Sequence, residues 1–107
     1  MKKLTILLLL LSLLVSGCVQ HHGAVVVRTY PEGAEVVDVK TGVIMGITPL
    51  QYWWRDDGLT RKFVNIRVQK EGYRDKTNSF WVDLRHTSRD DALENAQPVQ
   101  MALDATK

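Results

Sequence analysis

The chain has 107 residues, 45% hydrophobic and 24% charged, which is enough for one small domain with a modest core. Its 14 Lys and Arg stand against 12 Asp and Glu, and the formal net charge of +2 equals the contribution of Lys2 and Lys3. The rest is neutral and offers no long-range field to nucleic acid or anionic lipid, and the single cysteine excludes a disulfide within the chain.

The first segment has three parts. Met1-Lys2-Lys3 is a short basic start, Leu4 to Val15 is an apolar run broken only by Thr5 and Ser12, and Val15-Ser16-Gly17-Cys18 closes it with small residues before the cysteine. These are the parts of a bacterial secretion signal. The run is too short for a transmembrane helix, which needs about 20 apolar residues. A cysteine directly after the small pair resembles the lipobox of bacterial lipoproteins. That resemblance implies cleavage between Gly17 and Cys18, lipid on the Cys18 thiol and acylation of the new amino terminus. Each buried CH2 contributes roughly 0.8 kcal/mol and one chain alone binds only marginally; the three acyl chains that the resemblance implies would make a permanent anchor. In the same pattern, Val19 rather than aspartate after the cysteine implies sorting to the outer membrane, facing the periplasm, in an organism with two membranes. No other cofactor is suggested.

Loss of the signal, residues 1–17, leaves 90 residues with 12 basic and 12 acidic side chains. Residues 18–23 read as the lipidated cysteine followed by the linker Val19 to Gly23, whose five residues span at most ~17 Å. Residues 24–104 read as one domain of short strands.

Ala24 to Thr29 is rich in β-branched residues. Tyr30-Pro31-Glu32-Gly33 is a turn, with proline presetting φ and glycine accepting the unusual geometry. Ala34 to Val39 resumes an extended run, Lys40-Thr41-Gly42 is a hairpin connection, and Val43-Ile44-Met45 follows. In Gly46-Ile47-Thr48-Pro49-Leu50, Pro49 argues against a central strand. Gln51 to Arg55 carries Tyr52, Trp53 and Trp54 before the turn Asp56-Asp57-Gly58. Phe63 to Lys70 alternates, with Val64, Ile66 and Val68 on one face and Asn65, Arg67 and Gln69 on the other. After the turn Glu71-Gly72-Tyr73, Phe80, Val82 and Leu84 alternate with Trp81, Asp83 and Arg85. Ser88 and Asp91 have capping-box spacing, so 88–96 forms either a short helix or a mobile loop. Val99, Met101 and Leu103 mark the last strand.

About seven strands and one short helix imply an all-β fold, a small antiparallel β-sandwich. Its expected core is Val25, Val27, Val36, Ile44, Leu50, Val64, Ile66, Val68, Phe80, Val82, Leu84, Val99, Met101 and Leu103.

Three segments in order resemble the PEGA domain family: Pro31-Glu32-Gly33-Ala34, then Gly46-Ile47-Thr48-Pro49-Leu50, then Lys70-Glu71-Gly72-Tyr73. The resemblance spans roughly residues 24–84. It implies a small sandwich related to immunoglobulin or transthyretin-like folds, used on envelope proteins as a structural or binding module, with Pro31, Gly33, Gly46, Pro49 and Gly72 as structural turn residues. The aromatic Tyr52-Trp53-Trp54 with its acidic turn, and the segment 85–97, depart from the family pattern.

No nucleophile triad, phosphate loop, paired catalytic carboxylates or metal-ligand spacing stands out, which favours binding over catalysis. His21-His22 lacks the further ligands of a metal site, and His86 has no evident partner. Asp56-Asp57 lacks the additional oxygens of a calcium loop. The candidate binding residues are Trp53, Trp54 and Trp81. Adjacent Trp53 and Trp54 must point to opposite faces of a strand. The exposed ones either meet a partner or lie under the short helix or a loop. The expected partners are the membrane, through the anchor, and an envelope protein or cell-wall polysaccharide. Arg55, Arg61, Lys62 and Arg67 are offset by Asp56 and Asp57, so nucleic acid is a poor candidate.

Overall fold

The computed structural model describes residues 20–106. Gly17 and Cys18, with the proposed signal and cleavage site, lie outside the described residues. Among the described residues seven strands and one helix follow in order: β1 His21–Tyr30, β2 Glu35–Asp38, β3 Ile44–Ile47, β4 Leu50–Asp56, β5 Arg61–Gln69, β6 Lys76–Asp83, α1 Arg89–Glu94 and β7 Gln97–Ala102. They form two packed sheets, β4-β1-β7 and β3-β2-β5-β6. The expected all-β sandwich is what the chain builds.

The core lies between the sheets. β1 contributes Val25 and Val27, β2 Val36, β5 Val64, Ile66 and Val68, β6 and its exit Val82 and Leu84, and β7 with its exit Val99, Met101 and Leu103. Each follows from period-2 alternation, which puts every second side chain on the inner face. Full burial of such a side chain contributes roughly 1.5–3 kcal/mol. Leu50 and Phe80 are only partly buried and pack at the core margin.

Ile44 is the exception. It was expected inside and is 61% exposed. Val36 pairs with Gly46, but Val37 pairs with Ile44, so Met45 is an extra residue in β3 at a bulge. One inserted residue reverses which face the following side chains occupy. Met45 therefore packs against the core, and Ile44 joins Val37 on the outer face.

The linker is shorter than expected. Residues 21–23 belong to β1, where His21, His22 and Gly23 pair with Asp56, Arg55 and Trp54. His22 and Gly23 are buried. A Cβ on Gly23 would collide with the carbonyl oxygen of Asp83 and lie 2.7 Å from Leu84 Cδ2 and 2.9 Å from Val82 Cγ1. The glycine lets the start of one sheet press against the end of the other.

One strand pair is parallel. β7 runs alongside β1 in the same direction, from Val25 opposite Gln97 to Tyr30 opposite Ala102. α1 is the cause. Ser88 caps it through a bond from the Asp91 backbone N–H to Ser88 Oγ at 3.1 Å. Its Ala92 is fully buried where the helix meets β1 and β4. The helix carries the chain across the outside of the three-stranded sheet and returns it at the Val25 level, so β7 starts from the same end as β1. Beyond β7, Arg74 N–H bonds to Asp104 O and Thr106 N–H to Gly72 O, tying the chain's last described residues to the turn after β5.

Candidate binding surface

The turn segments converge at the end of the sandwich away from His21. The peptides before Pro31 and Pro49 are cis, and Gly33 has φ +89°. Gly33 N–H donates to Thr48 O at 3.1 Å and Thr48 N–H to Ala34 O at 2.8 Å. Thr29 Oγ1 donates to Pro31 O at 2.8 Å, so its single proton is used there. The 2.6 Å contact between Thr48 Oγ1 and Thr29 Oγ1 must then be donated by Thr48, which itself accepts from Ala34 N–H at 3.0 Å. The result is a directed chain from Ala34 N–H through two buried hydroxyls to the Pro31 carbonyl. These bonds tie the two turn segments to each other.

The three tryptophans lie in three different places, and the separation of Trp53 from Trp54 is the one that strand alternation requires. β4 alternates, so Trp54 faces inward beside Tyr52, ring centroids 4.9 Å apart, and packs against the core. Trp53 faces outward on the three-stranded sheet and is 40% exposed. The His22 ring lies 6.1 Å from it and the Arg89 guanidinium 5.8 Å above it, so α1 partly covers it. Trp81 is on the opposite side of the molecule. Phe80 and Val82 point inward, which forces Trp81 onto the outer face of the four-stranded sheet.

Trp81 is the centre of a cluster that its strand partner completes. Phe63 stands directly across from it, ring centroids 5.1 Å apart and tilted by 57°, and the two are 55% and 51% exposed. The Arg61 guanidinium sits 4.5 Å over the Trp81 ring, an exposed cation–π contact of about 0.5–1 kcal/mol. Beside Phe63 a cleft of about 370 Å³ is lined by Asp38, Lys40, Thr41, Lys62 and Asn65. Sequence reasoning named Trp81 and missed Phe63. The signal was present: Phe63 is in phase with Asn65 and Arg67, the outward residues of β5.

Two of the remaining candidates, Asp56 and His86, make hydrogen bonds within the fold. Asp56 Oδ1 accepts from Gly58 N–H and Leu59 N–H, both at 2.7 Å. The Leu59 bond first, then the Gly58 bond, holds its carboxyl below the ordinary aspartate value of 3.8. His86 Nδ1 lies 2.9 Å from Asp91 Oδ2, linking the chain before α1 to the helix. His21 and His22, being adjacent in a strand, point to opposite faces. Among the described residues, no three His, Cys, Asp or Glu side chains are grouped to hold a metal ion.

No family model, curated protein or solved structure matches the chain.

Proposed function

We propose that the protein is a lipid-anchored lipoprotein of the bacterial envelope, acting by binding and without catalysis. The observation that carries the reading is the basic start, apolar run and small-residue exit ending at Cys18. The position of β1 supports it: the first strand residue, His21, is three steps beyond Cys18, about 10 Å of extended chain. A body tethered so briefly stays at the membrane surface, and its partners come to it there. With Val19 after the cysteine, the membrane is the outer one, on its periplasmic face, in a cell that has two.

We read the body as a PEGA-like module. In support, the Pro31–Ala34 and Thr48–Leu50 segments are hydrogen-bonded to each other. A Cβ on Gly33 would stand 3.2 Å from the Nζ of Lys70, in the third segment. The Trp81–Phe63–Arg61 cluster supports a binding role, since Trp and Arg are the residue types that dominate protein hot spots. Arg61 lies over the Trp81 ring, where a stacked sugar would have to sit. This favours a protein partner, as in an accessory subunit of a larger envelope assembly, over a wall polysaccharide.

The test is metabolic labelling with radioactive palmitate. The wild type is expected to carry label in the membrane fraction, and Cys18→Ser to lose it and remain an unprocessed precursor. Equal labelling of the two would refute the anchor.

A further inference from the structure

We infer that the side chain of Gln97 guards the free edge of β6, holding the backbone groups through which a second copy of the chain would otherwise pair with it. The inference goes beyond the binding role and does not depend on the anchor.

A strand at the end of a sheet presents a row of unpaired backbone N–H and C=O groups, a template for pairing with another chain. Four strands have this position, β4 and β7 in one sheet and β3 and β6 in the other. β6 is the longest, eight residues against seven, six and four. It contains no proline. Alternation decides which of its backbone groups are free. Leu84 N–H donates to Thr60 O at 2.8 Å, so residue 84 faces β5. Asp83, Trp81, Ser79 and Thr77 therefore turn their N–H and C=O groups the other way, to the open edge.

At that edge Asp83 N–H donates to Gln97 Oε1 at 2.7 Å, and Gln97 Nε2 donates to Trp81 O at 3.1 Å. One side-chain amide thus accepts from one outward residue and donates to the next. These are the bonds that the backbone of an added strand would make there. Gln97 is the first residue of β7, in the opposite sheet, so it fills the place without adding a strand. At the other end of the edge Lys76 Nζ donates to Ala102 O at 2.9 Å, a second tie from β6 to β7. Between the two ties lie Thr77 and Ser79, whose outward backbone groups receive no bond from elsewhere among the described residues. That open stretch is shorter than the about five or six residues of a typical strand. Without the Gln97 amide the edge would be open from Thr77 to Asp83. The same two bonds also join the sheets. A role in stability alone would lower the melting temperature of a Gln97 variant and leave its association unchanged.

The test uses the full-length protein in a mild detergent, with sedimentation velocity to read association and far-UV circular dichroism to read the fold. Gln97→Ala and Gln97→Ser both end short of the edge, and each is expected to raise the dimer fraction at least fivefold over wild type. Ser79→Pro removes one outward N–H, a change that an edge strand tolerates. Alone it should leave the protein folded, and added to Gln97→Ala it should return the dimer fraction to the wild-type level. Folded Gln97 variants that associate no more than wild type would overturn the guard. So would association that survives Ser79→Pro, or loss of the fold with Ser79→Pro alone. Should both Gln97 variants unfold, amide hydrogen exchange in the wild type decides. The Asp83 amide is expected to exchange at least tenfold more slowly than those of Thr77 and Ser79, and equal rates would overturn the guard.

Discussion

Replacing Thr48 by valine keeps the side-chain shape and removes one hydroxyl from the middle of the chain that joins Ala34 N–H, Thr48, Thr29 and the Pro31 carbonyl. Ala34 is fully buried, so its N–H would lose its acceptor with no water to replace it; an unpaired buried donor costs about 1–3 kcal/mol. Thr29 keeps its donation to Pro31 but loses the proton it accepts, a bond with a net value of about 0.5–1.5 kcal/mol. The added methyl is buried and recovers about 0.8 kcal/mol. The net expectation is a destabilisation of about 2 kcal/mol. For a domain of 60–100 residues this lowers Tm by roughly 8–16 °C. The assay is thermal unfolding followed by far-UV circular dichroism. Thr48→Ser, which keeps the hydroxyl and loses one methyl, should cost only about 0.8 kcal/mol. The double substitution Thr29→Val with Thr48→Val should cost less than the sum of the two single ones, because they break the same 2.6 Å bond. A Thr48→Val protein within about 0.5 kcal/mol of wild type, or a Thr48→Ser protein equally damaged, would refute the directed chain.

Gly23→Ala should lower the melting temperature far more than a surface glycine change, since its Cβ meets the Asp83 backbone carbonyl; an unchanged melting curve would mean that the sheets do not touch there. Gly33→Val forces a β-branched residue to φ +89° and should cost on the order of 1–3 kcal/mol in urea unfolding, whereas a neutral result would place Gly33 in ordinary backbone space. Asp56 has a lowered carboxyl pKa in the folded state, so its turn bonds contribute stability above the ordinary value of 3.8 that is lost as pH falls below it. Asp56→Asn should therefore flatten the stability curve in that acid range, and identical curves for the two proteins would show that the carboxylate contributes nothing.

The fold was legible where a strand has one wet face and one dry one. Val64, Ile66 and Val68 against Asn65, Arg67 and Gln69 need only the period of a strand, and all three apolar residues are buried. The Ser88–Asp91 spacing likewise announced the cap of α1. Single insertions and long-range encounters were less visible. Nothing local distinguishes Val43-Ile44-Met45 as a bulged strand, yet the extra residue exchanges Ile44 and Met45 between core and surface. Gly23 looked like linker because its role depends on β6, about 60 positions later in the chain. The parallel course of β7 depends on where a six-residue helix comes to rest. For the binding surface, alternation separated Trp53 from Trp54, but no pattern within one strand could say that Trp53 and Trp81 lie on opposite outer faces. Phe63 became meaningful only when the register set it against Trp81.

Intact mass spectrometry of protein extracted from native membranes tests the anchor most directly. The account predicts a species that begins at Cys18, heavier than that 90-residue chain by a lipid on its thiol and an acyl group on its amino terminus. A species that retains residues 1–17, or one that begins at Cys18 with an unmodified thiol, would contradict it.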